Sequence, residues 1–530
     1  MQASISGIPV WRQMEWVAKP GIEVQHLETL IVGAGPVGLA LALDLGRRGH
    51  KVVLLNRLDF VPAGSKAICF SKRSLDIFDR LGVGDAMVAM GVTWNVGKVF
   101  HGRRSEPIYE FDLLPVKDQR RPAFINIQQY HVEDLLIAAL AALPNIEIRW
   151  GHELLSVTQD ELGAHVDVST VDGDYQIDAD WLIACDGSRS PVRTSLDLDF
   201  EGRVFEDNFL IADIKMEDDR PSERWFWFDP PFNPGQSALL HKQPDNVWRL
   251  DFQLGPGIDR AECVKPENVE RLVRAMLGDN IAFEPVWYSV YTFQCRRMAR
   301  FVHDRIIFAG DSAHLVSPFG ARGCNGGLAD IDNLGWKLDL ILHGAASPSL
   351  LESYNDEAII TADENILNST RSTDFLTPKS TTSRAFRDAV LELALDHPFA
   401  RPFVNSGRLS TAISYSASTL TTLDMDNWTC GIAPGEPALD APMGDGWLLA
   451  LLSDEFTLLA NGWIEPEPQG VRLIDIAPVA GRLGDLLNRY ALTPGAAYLI
   501  RPDQYVAARW VRPTAALIRD ALDRAKGGRL

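Results

Sequence analysis

Two glycine-rich stretches combine residue types and spacings that have chemical meaning. The first is Gly33-Ala34-Gly35-Pro36-Val37-Gly38, between the apolar run 29–32 and a helix-forming segment that reaches Arg48. In this pattern Gly33 makes a tight turn, Gly35 lets the backbone approach a pyrophosphate, and Gly38 lets helix and strand pack closely. Pro36 and Val37 open the helix. The second stretch, residues 304–338, begins with the apolar run Ile306, Ile307, Phe308 and Ala309, suited to a buried strand. Gly310 permits a tight exit before Asp311, and Gly320, Gly323, Gly326 and Gly327 let the chain approach a flat ligand. From about Gly327, residues Leu328, Ile331, Leu334 and Leu338 recur at helical spacing. A helix start offers unpaired N–H groups and a positive dipole end, so both stretches suit an anionic group.

The elements that hold these loops follow from periodicity. Residues 29–32 and 51–56 predict strands flanking the first helix, a βαβ dinucleotide-binding unit. The carboxylate expected after the second strand is replaced by Asn56, followed by Arg57. Asn offers one acceptor and a donor where a carboxylate accepts two bonds from ribose hydroxyls. A weaker hold on the ribose is therefore expected, with Asn56→Glu tightening it. Residues 124–129 predict a strand end, and a helix then begins at Gln129 with Val132, Leu135, Leu136 and Leu140 along one side. Residues 146–180 alternate apolar and polar and predict an antiparallel meander. Residues 181–184 predict a buried strand leading into Asp186-Gly187. Residues 200–295 hold short alternating runs around Trp225, Trp227, Arg249 and Gln253, with Pro234-Gly235 and Pro256-Gly257 as turns. Residues 1–27 form an N-terminal arm, 339–430 are mainly helical, and strands return near 456–459, 471–474 and 497–500.

Composition narrows the function. The chain has 530 residues, enough for two or three domains, with 46% hydrophobic and 23% charged residues, as in ordinary globular proteins. Its net charge of −20 disfavours nucleic acid and anionic membranes as partners. The apolar run 135–143 is too short to span a bilayer, and the N-terminus shows no secretory pattern. Six scattered cysteines without a CxxC predict a reducing cytoplasmic setting and no metal site.

Taken together, the motifs resemble those of the group A flavoprotein monooxygenases, the para-hydroxybenzoate hydroxylase fold. Gly310, Asp311, Ala313, His314, Pro318, Gly320, Gly323, Asn325, Gly327, Asp330, Asn333, Leu334, Trp336, Lys337 and Leu338 match the family's second flavin motif in register. Asp186, Gly187, Ser190, Val192 and Arg193 match its Asp-Gly motif. The segment Ile500-Arg501-Pro502-Asp503 with Val506-Ala507 resembles the thioredoxin-like C-terminal domain of phenol hydroxylases and 3-(3-hydroxyphenyl)propionate hydroxylases. Lacking CxxC, that domain is expected to be structural or to support a homodimer.

The resemblance implies an α/β fold. A Rossmann-like FAD-binding domain (residues 28–199 and 296–365) carries an antiparallel-sheet substrate domain (200–295), a helical connection (366–429) and a thioredoxin-like domain (430–530). It implies FAD as cofactor and NADPH or NADH, O2 and a small aromatic compound as co-substrates. A phenolic ring would be hydroxylated through a flavin C4a-hydroperoxide. In this frame Asp311 holds the ribitol, and the backbone of Gly323, Cys324 and Asn325 meets the flavin pyrimidine edge. The Cys324 side chain serves as a small hydrophobe. Lys66, in Gly64-Ser65-Lys66-Ala67, faces the pyrophosphate or NAD(P)H, Gln129 contacts the cofactor, and Asp186 supports it. Pro318 lies beside the flavin ring, and Arg322 binds an anionic substrate group or tunes the flavin. Trp225, Trp227, Arg249, Gln253 and Tyr288 are candidate substrate contacts, with Arg224, His241, Asp251 and Tyr291 as further polar candidates. No spacing identifies the base that would deprotonate a phenol. A Baeyer–Villiger or ring-opening oxygenase, or a non-hydroxylating flavoprotein, remains an alternative at this point.

Overall fold

The computed structural model describes residues 9–528 except 22, 65, 114–115, 256, 406–409 and 453. Ser65, Pro256 and the first eight residues of the arm lie outside the described residues.

The central sheet is mainly parallel. Its order runs Ile146–Trp150, Val52–Asn56, Gln25–Val32, Tyr175–Ala184, then Ala164–Ser169 and Glu153–Gln159, with Ile306–Phe308 beside the end of Tyr175–Ala184. The runs Leu30-Ile31-Val32, Val52-Val53-Leu54-Leu55 and Ile306-Ile307-Phe308 are buried because helices or other strands cover both faces. The helix Pro36–Arg47 connects Gln25–Val32 to Val52–Asn56, and its apolar side packs on helix Gly323–Leu342. At that crossing Gly335 leaves room for the Asp44 carboxylate, which a Cβ there would overlap.

The meander expected over 146–180 holds only for its last three strands. Ile146–Trp150 instead pairs in parallel with Val52–Asn56 at the sheet edge. Alternation reports which residues are half-buried, and it does not distinguish a parallel edge strand from an antiparallel one. The second correction concerns helix Gly323–Leu342, which starts one turn before Gly327. Glycines disguise that first turn, where Gly326 N–H donates to the Arg322 carbonyl at 2.8 Å.

An eight-stranded, mostly antiparallel sheet stands above this layer. Its order is His314–Leu315, Glu284–Arg297, Glu201–Lys215, Val247–Leu254, Ser237–Lys242, Arg224–Phe228, Val96–His101, Tyr109–Asp112. The last two strands come from before residue 200, and Val96–His101 runs parallel to Arg224–Phe228. Strand alternation sorts the side chains into two faces. Leu210, Ala212, Trp248, Leu250 and Phe252 pack with helix Pro266–Leu277 on the outer face. Phe209, Asp213, Arg224, Phe226, His241, Arg249 and Phe293 alternate with them and face inward.

Helices Leu350–Leu376 and Thr381–Asp396 follow, separated where Ser380 and Ser383 form a reciprocal cap. The C-terminal sheet has the order Arg472–Asp475, Thr457–Ala460, Ala497–Ile500, Val506–Trp510; the first pair is parallel and the others antiparallel. The arm is not irregular throughout: Val10–Gln13 pairs with Phe60–Pro62, and Trp11 stacks on Tyr130 at 4.0 Å between ring centroids. Among the described residues no helix is long and apolar enough to cross a membrane.

Candidate active site

The two glycine-rich stretches meet at one cleft, where a Cβ on Gly310 or Gly327 would touch Val37. Gly33 turns with φ +108°, and a Cβ there would overlap the Cys185 carbonyl. A Cβ on Gly38 would overlap the Gly33 carbonyl, so Gly38 sets the helix against the strand. Gly35 is different: nothing lies within 4 Å of the position its Cβ would take. The helix it opens, Pro36–Arg47, has no side-chain cap. Helix Gly323–Leu342 has none either. Two uncapped helix starts, one beside open space over a glycine, fit the phosphates and electron-rich ring of FAD.

Asp311 stands at the end of Ile306–Phe308, after Gly310. The turn is fixed by Asp330, whose Oδ2 accepts from Gly310 N–H at 2.9 Å and lies 2.6 Å from His314 Nε2. Burial would lower the His314 pKa, but the Asp330 carboxylate outweighs it and raises it. Asp311 itself is reached by solvent from the cleft, and among the described residues its carboxylate makes no side-chain hydrogen bond. The surrounding protein withholds hydration on its other sides and raises its pKa. An exposed carboxylate without side-chain partners can accept from hydroxyl groups.

The other cofactor candidates divide between cleft and support. Arg57 and Lys66 are exposed, and Lys66 acts on both Asp311 and Glu133 through its charge. Asn56 is engaged locally: its Oδ1 accepts from Ala34 N–H at 3.2 Å, and its Nδ2 donates to the Leu58 carbonyl at 2.9 Å. A glutamate cannot make the second bond, which opposes the tightening expected of Asn56→Glu. Gln129 straps the 64–67 loop to its own helix, accepting from Ala67 N–H at 3.2 Å and donating to Glu133 Oε1 at 2.8 Å. Asp186 Oδ2 accepts from Ser190 Oγ at 2.8 Å and Val192 N–H at 3.1 Å, leaving its buried Oδ1 without a partner. Burial raises the Asp186 pKa to about 6. Arg193 then ties this turn to the Ser312 carbonyl at 2.8 Å, so the Asp186 segment positions the Asp311 turn.

Asn325 is buried and pins the helix start. Its Oδ1 accepts from Ser71 N–H at 3.0 Å and its Nδ2 donates to the Cys69 carbonyl at 2.9 Å. This leaves the backbone N–H groups of Gly323, Cys324 and Asn325 at the first turn for a ligand. Burial pushes the Cys324 thiol up, which keeps it protonated and suits a packing role. Pro318 is exposed in the cleft, while its neighbour Phe319 is anchored against Phe209 and Phe293 at 4.8 and 5.2 Å. Arg322 is buried and donates to Asn365 Oδ1 at 2.9 Å. Burial lowers its pKa to about 10.

The substrate candidates separate by strand parity. Trp225, Trp227 and Tyr288 lie on the outer face of the upper sheet, packed in its apolar layer. Gln253 is buried, its Oε1 accepting from Ser237 at 3.0 Å. Arg249 faces inward and pairs with Asp213 through bonds of 2.7 and 2.8 Å. Trp287, on the inner face of Glu284–Arg297, approaches the cofactor loop: a Cβ on Gly64 would lie 3.4 Å from its indole nitrogen. Sequence reasoning passed over Trp287 and Glu133. The first shares strand parity with Tyr291; the second stands four residues after Gln129 on the same helix face.

Glu133 is buried, and burial raises its pKa to about 8. Between its unfolded value of 4.5 and about 8, the folded state therefore binds more protons, so the Glu133 contribution weakens as pH rises through that window. Glu133→Gln, which stays neutral, is expected to remove this dependence, with a slope difference of about 1 kcal/mol per pH unit. Denaturant unfolding of the apoprotein between pH 5 and 8 measures it; parallel profiles would refute the assignment.

Comparison with known proteins agrees with this geometry. The 3-(3-hydroxy-phenyl)propionate/3-hydroxycinnamic acid hydroxylase of Klebsiella pneumoniae (strain 342) is 29% identical over 523 residues, covering 92% of each chain. The flavin-dependent monooxygenase PieE, solved with FAD and substrate, superposes with a TM-score of 0.80 at 21% identity, covering 96% of this chain and all of that one. The p-nitrophenol 4-monooxygenase PnpA of Pseudomonas putida DLL-E4 gives 0.65 at 26% identity, covering 72% of this chain and 97% of its own. The model of the FAD binding domain family matches residues 26–369, which is more than half of the sequence, and the chain belongs to that family.

Proposed function

We propose that this flavoprotein monooxygenase hydroxylates a phenolic ring, drawing electrons from external NADPH or NADH and one oxygen atom from O2. The observation that carries this reading is the inward face of the upper sheet, which bears Arg224, His241, Asp251, Trp287 and Tyr291, with Trp287 against the Gly64 loop. The Klebsiella relative, named for a hydroxyphenyl acid, supports the same substrate class.

Bound FAD would supply hydride acceptance and oxygen transfer. Asp311 would hold its polar chain, Gly35 and the start of Pro36–Arg47 its pyrophosphate, and the N–H groups at Gly323–Asn325 its pyrimidine edge. Those donors stabilise negative charge there without reorganisation. Phe319, wedged against Phe209 and Phe293, holds the Pro318 loop in place and helps keep water from the reacting face. The C-terminal unit is read as thioredoxin-like, supported by its parallel pair followed by an antiparallel hairpin. Its single cysteine, Cys430, leaves it a structural task.

The test is anaerobic flavin reduction by NADPH and by NADH, with and without a panel of phenols. Acceleration of at least about tenfold by one phenol is expected, and equal rates with every compound would reject the reading.

A further inference from the structure

The inward sheet face holds a polar group that the folded chain leaves unsatisfied. Arg224 is 5% exposed, and its Nε and Nη1 are buried with no hydrogen-bond partner. Trp94 and Phe226 cover the guanidinium at 5.8 and 4.9 Å from its carbon to the ring centroids. Its unsatisfied donors therefore lie along its edge. Among the described residues no carboxylate is within ion-pair distance of it. Directly across the strand pair is His241, 1% exposed, whose Nδ1 is also buried without a partner. The other ring nitrogen, Nε2, faces Asp251 Oδ2 at 3.5 Å. A neighbouring carboxylate favours the proton on Nε2 and leaves Nδ1 as an acceptor. Arg249, on the far side of His241, is paired with Asp213.

Burying an unsatisfied guanidinium beside an unsatisfied imidazole is costly unless something supplies the missing partners. The missing partner must offer an acceptor to Arg224 and a proton to His241 Nδ1. A phenol hydroxyl does both. The cluster also adjoins the cofactor cleft. Cys69, whose thiol feels the charges of Arg224, Arg249 and Asp251, accepts through its carbonyl from Asn325 at the flavin-facing helix start.

We propose that His241 is the base that takes the phenol proton, that Asp251 holds its tautomer, and that Arg224 binds the phenolate oxygen. This rests on the hydroxylase reading above. The phenol O–H bond breaks, an N–H bond forms at His241 Nδ1, and the electron pair stays on oxygen beside Arg224. Before transfer, the buried Arg224 and the partly buried Asp251 are two separated charges. Afterwards phenolate faces guanidinium and imidazolium faces carboxylate, so each charge has a partner. Burial, then the Arg224 charge, lowers the His241 pKa to about 4, which keeps the resting imidazole neutral. Phenolate formation cancels the Arg224 contribution, so the proton affinity of His241 rises as the transfer proceeds. The other titratable groups facing this cluster are Asp213, Arg249, Cys69, Tyr130 and Tyr291; the first two neutralise one another, and burial keeps the thiol and both phenols protonated.

The test is optical titration of 4-nitrophenol bound to the oxidised holoenzyme, reading its visible phenolate band against pH. In the wild type, the bound phenol should ionise at least about one pH unit below the free compound. His241→Gln should retain binding within about threefold but lose most of that shift, keeping only the part the Arg224 charge supplies, and Arg224→Met should weaken binding at least about tenfold. An undiminished shift in His241→Gln would overturn the base assignment. Absence of binding or of any shift in the wild type would overturn the whole proposal. If Arg224→Met does not fold, the wild type and His241→Gln still decide. A phenol that accelerates flavin reduction without ionising on binding would sink this inference while leaving the hydroxylase function standing.

Discussion

Gly35→Ala will weaken FAD binding at least about a hundredfold while leaving the melting temperature of the apoprotein within about 2 °C of wild type. The asymmetry comes from geometry. Gly35 has φ −82° and ψ −179°, which any residue adopts, and its missing Cβ faces empty space. Alanine there therefore costs the fold little. That space is where a pyrophosphate would rest on the uncapped start of Pro36–Arg47, and a methyl group would displace it from the N–H groups. Gly38→Ala is the contrasting control: its Cβ would strike the Gly33 carbonyl, so both folding and FAD binding should suffer. Flavin fluorescence titration and apoprotein melting, run on both variants, separate these effects. An unchanged FAD affinity in Gly35→Ala would place the pyrophosphate elsewhere.

The second large effect lies at the junction with the C-terminal unit. Glu357, fully buried, accepts from Lys337 Nζ at 2.8 Å, Asn333 Nδ2 at 2.6 Å, and Arg501 Nη1 and Nη2 at 2.7 and 2.9 Å. Arg501 also pairs with Asp503, which accepts from Trp336 Nε1 at 3.1 Å. Asn333, Trp336 and Lys337 all belong to the helix whose start faces the cofactor. Arg501→Met leaves Lys337 as the cation bonded to Glu357 and removes the guanidinium paired with Asp503. Breaking such a group by removing one partner costs about 3–5 kcal/mol. Urea unfolding should show that loss, and FAD affinity should fall with it because the flavin helix loses its rear anchor. A loss below about 1 kcal/mol would show that water or rearrangement satisfies the network. The pH sense is definite. Burial alone would raise the Glu357 pKa, but Arg501 and Lys337 outweigh it and hold the carboxyl below its usual range. Its stabilisation is thus present above the unfolded value of 4.5 and declines as pH falls below that.

The roles of these polar residues differ according to whether partners are present in the chain. Glu357 and Arg249 are paired within the protein and serve its architecture. Asp311, Arg224 and His241 have polar atoms left over, and each faces the cleft or the cluster beside it. Arg322 belongs with the first group: its bond to Asn365 ties the Pro318 loop to helix Leu350–Leu376, so Arg322 is read as a support for that loop.

Local chemistry made part of this molecule legible from the sequence alone. The glycine spacing at 33–38, the strand-Gly-Asp turn at 306–311 and the apolar runs of the parallel strands are short-range features. Their consequences follow from backbone sterics and burial, so the two-loop nucleotide cleft and the α/β class could be read directly. Long-range relations could not. Which face of the upper sheet meets the cofactor depends on the register of strands far apart in sequence (Phe209 beside Tyr291, Arg224 beside His241). A shift of one residue would exchange the inner and outer sets, as the outward positions of Trp225, Trp227 and Tyr288 illustrate. Likewise, nothing local shows that Ser71 and Cys69 occupy the Asn325 side chain, or that Glu133, four residues after Gln129, is buried. Sequence by itself determined where a nucleotide would lie. Only tertiary packing decided which polar side chains are spent on the protein and which are left for a substrate.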